Sequence, residues 1–180
     1  MIYKIRIVSD EVDDFRRDIL IDSESTFEEL KDAICESTGY DPSLMSSFFI
    51  CEDNWEKIKE ITLEDMGSDM MKDLFLMKDT TLDELIEDVG QKMLFTFDFL
   101  ADRSLFLQVK DEEFGAPLDK PECVFSRGEA PAQESTLEEV ENMITKTTAP
   151  QDGNYDLDED FLGDSDYNEE DLQDYNEMDY

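Results

Sequence analysis

Thirteen carboxylates and not one lysine or arginine occupy residues 151–180. A segment with so little apolar surface and so much unbalanced charge cannot bury enough area to offset its chain entropy, so it is expected to be disordered on its own. The folding information must lie upstream. Residues 1–110 hold 27 acids against 12 bases, and residues 111–180 hold 23 against 3. Between Phe114 and Gln133, the punctuation of Gly115, Pro117, Pro121, Gly128 and Pro131 reads as a linker. The expected division is an α+β domain over 1–113, a linker over 114–134, a short helix over 135–146 and an acidic tail over 147–180.

The whole chain of 180 residues has a formal net charge of −35 and contains no histidine. The missing imidazole excludes Ser-His and Cys-His catalysis and histidine-ligated metals. The charge argues against direct contact with nucleic acid, which needs a basic face, and against anionic membrane surfaces. Cys35, Cys51 and Cys123 are widely spaced and form no C-x-x-C pair, so neither a zinc site nor a disulfide framework is indicated, and reduced thiols fit a cytoplasmic location. The longest purely apolar runs, such as Phe48-Phe49-Ile50-Cys51 and Leu74-Phe75-Leu76-Met77, are four residues. A membrane span needs about 20.

Hydrophobic periodicity outlines the domain. Tyr3, Ile5 and Ile7 alternate with Lys4 and Arg6, and Phe15, Ile19 and Ile21 continue after the polar turn at Asp10–Asp14, which predicts a hairpin. Ser25 to Glu28 and Thr26 to Glu29 are overlapping capping boxes for a helix with Phe27, Leu30, Ala33 and Ile34 on one face and Gly39 as its stop. Phe48–Cys51 reads as a buried strand, with Ile61–Leu63 and Leu74–Met77 as two further short ones. Thr81-Leu82-Asp83-Glu84 caps a second helix whose stripe is Leu82, Leu85, Ile86 and Val89, ended by Gly90. Met93, Phe95, Phe97 and Phe99 form one strand, and Leu105–Val109 returns across a loop at Ala101-Asp102-Arg103. The order β-β-α-β-(β-β)-α-β-β predicts a mainly antiparallel sheet with two helices on one face. Thr136-Leu137-Glu138-Glu139-Val140 repeats the cap pattern and starts the predicted helix beyond the linker.

The run Phe15-Arg16-Arg17-Asp18-Ile19-Leu20-Ile21, the capped helix from Thr26 to Cys35, Gly39-Tyr40-Asp41 and the tripeptide Phe97-Asp98-Phe99 resemble the plasmid ORF-three-like family, whose members include insertion-element passenger TnpR-like proteins. The motifs cover roughly residues 1–110. Phe15 stands where the family pattern has tryptophan, and Leu44 and Ser46 stand where it has histidines. Leu100, Ala101, Arg103 and Leu105 replace the Gly, Asp, Trp and His of its closing motif. The resemblance therefore implies the family fold in a histidine-free branch with an acidic tail, and no site built on those histidines. The TnpR label suggests a resolvase, but five arginines (Arg6, Arg16, Arg17, Arg103 and Arg127) in so anionic a chain argue against holding a scissile phosphate.

No catalytic, cofactor-binding or metal-ligating residue is nominated. Asp156-x-Asp158-x-Asp160 opens like a calcium loop, but Phe161 takes the glycine position and Tyr167 the glutamate position; starting at Asp164 puts Glu169 and Tyr175 there instead. Arg16-Arg17 reads either as an anion contact or as an edge pair satisfied by nearby carboxylates. Trp55 reads either as a binding-surface aromatic or as a lid on the core. The strongest functional signal is the tail, where Tyr155, Leu157, Phe161, Leu162, Tyr167, Leu172, Tyr175, Met178 and Tyr180 are set among the acids. Charge would steer such a segment to a basic protein partner and the apolar side chains would anchor it, with Phe161, Leu162, Tyr167, Tyr175 and Trp55 as the expected contacts. The expected function is a non-enzymatic interaction or regulatory module. The alternatives are a carboxylate-based or metal-dependent hydrolase, and a tail that only solubilises.

Overall fold

The structure, a computed structural model, describes residues 1–65, 67 and 74–146. The tail, with the expected partner contacts Phe161, Leu162, Tyr167 and Tyr175, lies outside the described residues. Eight strands form one mixed sheet: β1 (Ile2–Ser9), β2 (Arg16–Asp22), β3 (Ser47–Cys51), β4 (Lys57–Thr62), β5 (Phe75–Leu76), β6 (Lys92–Asp98), β7 (Arg103–Glu113) and β8 (Glu122–Arg127). Their order across the sheet is β5-β4-β3-β6-β7-β1-β2-β8. Every pairing is antiparallel except β4 with β5. Three helices complete the α+β fold: α1 (Phe27–Thr38), α2 (Leu82–Leu85) and α3 (Leu137–Lys146).

Of the two overlapping capping boxes, the one at Thr26 forms. The Thr26 hydroxyl accepts from the Glu29 amide at 3.2 Å while the Glu29 carboxylate accepts from the Thr26 amide at 2.7 Å, satisfying two otherwise orphaned donors. Gly39, at φ 78°, ends α1 in the left-handed conformation. The α1 and α2 stripes (Phe27, Leu30, Ile34; Leu82, Leu85, Ile86) pack onto Tyr3, Ile5, Ile7, Phe48, Phe95 and Leu107 to make the main core. Phe27, Phe48 and Phe95 run through its centre with ring centroids 5.4 and 4.9 Å apart.

Two expectations change. The second helix stops at Leu85, because Ile86 is extended (φ −90°, ψ 113°) and the Gly90 amide is already bonded to the Val109 carbonyl at 2.7 Å, so the chain is drawn early into β6. Val89 is consequently 47% exposed rather than in the stripe. The stretch expected to be a linker contains β8, which pairs antiparallel with β2 from Arg16↔Arg127 to Leu20↔Glu122. Its side chains are all exposed, so it carries no hydrophobic pattern; long-range pairing makes it a strand. The chain beyond it is tied down as well. The Tyr40 hydroxyl donates to the Pro131 carbonyl at 2.6 Å, and Gln133 exchanges two hydrogen bonds with the Asp41 backbone.

Gly128 closes β8 against the β1–β2 turn. It sits at φ 68°, and a Cβ there would lie 2.6 Å from the Asp14 carbonyl oxygen and 2.8 Å from its carbon. Gly39 has a similar φ with nothing within 4 Å of a Cβ. Gly39→Ala should therefore cost about 1 kcal/mol from conformation alone. Gly128→Ala should cost about 2–3 kcal/mol, because a backbone clash is added to the strain. Denaturant melts of the two variants check the ordering; equal costs would mean that the turn yields freely.

Candidate interaction surface

Directly opposed residues in a sheet share a face, so the register assigns each side chain. Tyr3, Ile5 and Ile7 point to the helices, and Lys4, Arg6 and Val8 point away, to what we call the outer face. Arg16, Asp18 and Asp22 of β2, Phe106, Gln108, Asp111 and Glu113 of β7, Lys92 and Leu94 of β6, Phe49 and Cys51 of β3, Lys57 and Glu60 of β4, and Glu122 and Arg127 of β8 join them there, so bases and acids are mixed across this face. Val8, Cys51, Trp55, Leu94 and Phe106 form a second, smaller apolar cluster on this face, with Phe49 packed beside it.

Trp55 covers that cluster. The tight β3–β4 turn is closed by the Trp55 amide on the Glu52 carbonyl and the Glu52 amide on the Glu56 carbonyl, both at 2.9 Å. Trp55 takes the left-handed φ of 67°, unfavourable for a bulky side chain by about 1–3 kcal/mol. Burial of the indole offsets that cost: it is 7% exposed, packs edge-on to Phe106 at 5.0 Å, and has the Lys92 ammonium 5.1 Å from its centroid. The ring thus faces inward. Lys92 is fixed by donating to the Asp53 carbonyl at 2.6 Å, and burial pulls its ammonium below the usual lysine range against the opposing pull of Asp53 and Cys51. The Lys57 ammonium lies 4.4 Å from the Phe49 ring centroid and 3.6 Å from Asp102.

On β1 and β2, one carboxylate serves two guanidiniums. Asp18 accepts from Arg6 Nε at 3.1 Å and from Arg16 Nη2 at 2.7 Å, and Arg16 stacks 4.5 Å above the Phe125 ring of β8. Burial opposes ionisation of Asp18, but the hydrogen bonds and charges of Arg16 and Arg6 outweigh it and hold the carboxyl below its usual range.

The two arginines of the Arg16-Arg17 pair part company. Arg17, one residue on, points to the helix side and, among the described residues, pairs with no carboxylate. It donates to four backbone carbonyls: Ser37 at 3.0 Å, Arg16 at 2.9 Å, Arg127 at 2.7 Å and Gly128 at 2.9 Å. Its guanidinium also lies 4.6 Å over Phe15. The last turn of α1 has no basic residue of its own, and Arg17 supplies the cation that the exposed carbonyls there favour. Nothing in the local sequence signals this role.

At one end of the sheet, Arg103 bonds Glu11 through Nε at 3.0 Å, Asp98 at 3.4 Å and the Ser135 hydroxyl at 3.1 Å, and Ser135 in turn donates to Asp98 at 2.8 Å. Its guanidinium sits 5.0 Å over Phe97, whose ring is 5.1 Å from Tyr40. This knot joins the β1–β2 turn, the β6–β7 hairpin and the segment before α3. Burial alone would favour neutral Asp98; bonds from Ser135, the Ala101 amide and Arg103 reverse that and hold it low. Phe15, Ser46, Arg103 and Leu105 are buried, whereas Leu100 is exposed.

Burial pushes the Cys35 and Cys51 thiols up to about 11, away from thiolate nucleophiles. A hollow of about 530 Å³ between β4, β5 and α2 is lined by Lys59, Phe75, Asp79, Glu84 and Leu85. Its two carboxylates are exposed, and Glu84 accepts the Thr81 amide as the α2 cap. Among the described residues, no three Cys, Asp or Glu side chains converge as metal ligands, and no helix is long and apolar enough to cross a membrane.

The fold is similar to that of a protein of unknown function from Methanosarcina mazei Go1, known from its crystal structure. The TM-score is 0.58 at 15% identity, over 84% of this chain and 83% of that one. No curated protein matches. The pattern of the family described as plasmid pRiA4b ORF-3-like protein matches residues 1–176, well past the motifs in the first 110 residues and through most of the acidic segment. The chain belongs to this family of plasmid pRiA4b ORF-3-like proteins.

Proposed function

We propose that the chain is a cytoplasmic, non-enzymatic interaction module, a histidine-free relative of the TnpR-like passenger proteins, whose acidic segment docks on a basic protein. The observation that carries this reading is the spacing of apolar side chains among the 13 acids of residues 151–180. A segment that only solvated the protein would have no use for Phe161, Leu162, Tyr167 and Tyr175, whereas a docking segment needs such anchors to hold what charge attracts. The buried thiols and the exposed carboxylates of the hollow, of which Glu84 is engaged as a helix cap, support the non-enzymatic side of it.

The triple substitution Phe161→Ser, Tyr167→Ser and Tyr175→Ser keeps every charge. On this reading it weakens partner binding by about 2–4 kcal/mol, because buried aromatics dominate interface energetics. Affinity recovery of basic proteins by the wild-type chain and the variant, followed by mass spectrometry, measures the effect. Equal recovery of the same proteins would make the tail a solvating appendage.

A further inference from the structure

We infer that two copies of this chain associate through β8, the exposed edge of one strand pairing antiparallel with the same edge of the second copy about a two-fold axis.

β8 ends the sheet and, among the described residues, pairs with β2 alone. Its whole run, Glu122-Cys123-Val124-Phe125-Ser126-Arg127, is exposed, Val124 at 49% and Phe125 at 38%. An edge of this kind carries a row of backbone N–H and C=O groups that can extend a sheet. The opposite edge, β5, spans only Phe75–Leu76. Charged side chains and a bulge often protect an edge from such pairing. In β8 they act the other way, because they match their own copy.

Full antiparallel overlap of two such strands sets Glu122 opposite Arg127, Cys123 opposite Ser126 and Val124 opposite Phe125, each twice by symmetry. In a regular strand Glu122 and Arg127 would point to opposite faces. A two-fold axis perpendicular to the sheet preserves faces, so it could not bring them together. The bulge removes that obstacle. Asp18 faces Phe125 and Ile19 faces Cys123, so Val124 is the extra residue. Opposite Arg16, Asp18 and Leu20, the residues Arg127, Phe125 and Glu122 therefore all lie on the outer face. Cys123 and Ser126, opposite Ile19 and Arg17, lie on the helix face. Across two copies, the opposite charges meet on one face and Cys123 meets Ser126 on the other, with Val124 and Phe125 at the axis. Arg127 Nε already reaches Asp14 at 3.3 Å, but the side chain is 56% exposed and its guanidinium can take a second carboxylate. A single strand edge is small for an interface, and two chains of charge −35 repel, so the pair is weak and needs screening salt.

Ser126→Cys in the full chain tests the register at about 0.5 M salt, where a Debye length of about 4 Å screens that repulsion. Opposed Cα atoms of an antiparallel pair lie about 4.5–5.5 Å apart, within disulfide range. Mild oxidation should therefore join Cys123 of one copy to the introduced thiol of the other, giving roughly tenfold more linked dimer than the wild type. In the wild type the two Cys123 thiols are offset by about 10 Å along the strands, and Cys35 and Cys51 are buried. Adding Glu122→Arg puts two guanidiniums at each end and should cut the linked dimer by roughly fivefold. That change lowers the net negative charge, so general electrostatics alone would raise association instead. Sedimentation of the unmodified chain at the same salt should show a dimer that grows with concentration. A wild-type chain that stays monomeric, links through other cysteines, or linkage unaltered by Glu122→Arg would each overturn the inference.

Discussion

Asp18→Asn should destabilise the folded chain by about 3–5 kcal/mol, the usual cost of removing one member of a buried ionic cluster. The change keeps the shape of the side chain but leaves Arg6, 2% exposed, and Arg16 facing each other without the carboxylate that both engage. The loss should also depend on pH with a defined sign. The folded-state carboxyl titrates below its ordinary value, so its contribution is complete above the unfolded carboxylate range of about 4. That contribution disappears as pH falls through the lower, folded-state value. Thermal melts of both proteins should therefore differ by a constant amount at neutral pH and converge in strong acid. A gap that persisted unchanged at pH 2 would mean that the carboxylate's charge is not what stabilises the cluster.

Arg17→Met should cost about 3–4 kcal/mol by another route. The methionine fills the stem's volume, but the Ser37, Arg16, Arg127 and Gly128 carbonyls lose their donor, each orphan costing about 1 kcal/mol. Because two of those carbonyls lie at the end of β8, amide exchange should accelerate there first, while β3 and β6 exchange as in the wild type. Arg17→Lys should recover only part of the loss, since an ammonium has three donors and no planar fork. Protected β8 amides in Arg17→Met would show that the pairing with β2 alone holds this edge.

These two arginines also mark what could be read in the sequence. The β1–β2 hairpin, the Thr26 capping box and the core phenylalanines follow from local periodicity and capping chemistry, and the Arg16–Asp18 pair is visible at a spacing of two on one strand. Arg6 reaching Asp18 requires knowing the register, and the carbonyls bonded by Arg17 lie up to 111 residues away. For the same reason β8 reads as a linker: Glu122–Arg127 buries nothing, and Pro121 and Gly128 flank it. On β6 the alternation is real, but this central strand is buried on both faces, so Leu94 belongs to the outer cluster with Trp55 rather than to solvent. Phe99, expected on that strand, falls in the turn and is exposed. The mixed charge of the outer face was illegible because its side chains come from strands that only the sheet order brings together.

Docking by residues 151–180, as proposed, requires their charge and aromatic side chains to act together. Rates of association and dissociation between the full chain and a basic protein recovered with it, followed by surface-immobilised binding across a salt series, test this most directly. Salt should slow association of the wild-type chain and of the triple serine variant alike, because screening acts on the carboxylates. Dissociation should be at least thirtyfold faster for the variant, corresponding to about 2 kcal/mol or more of lost burial. Identical dissociation rates for the two chains would contradict the account.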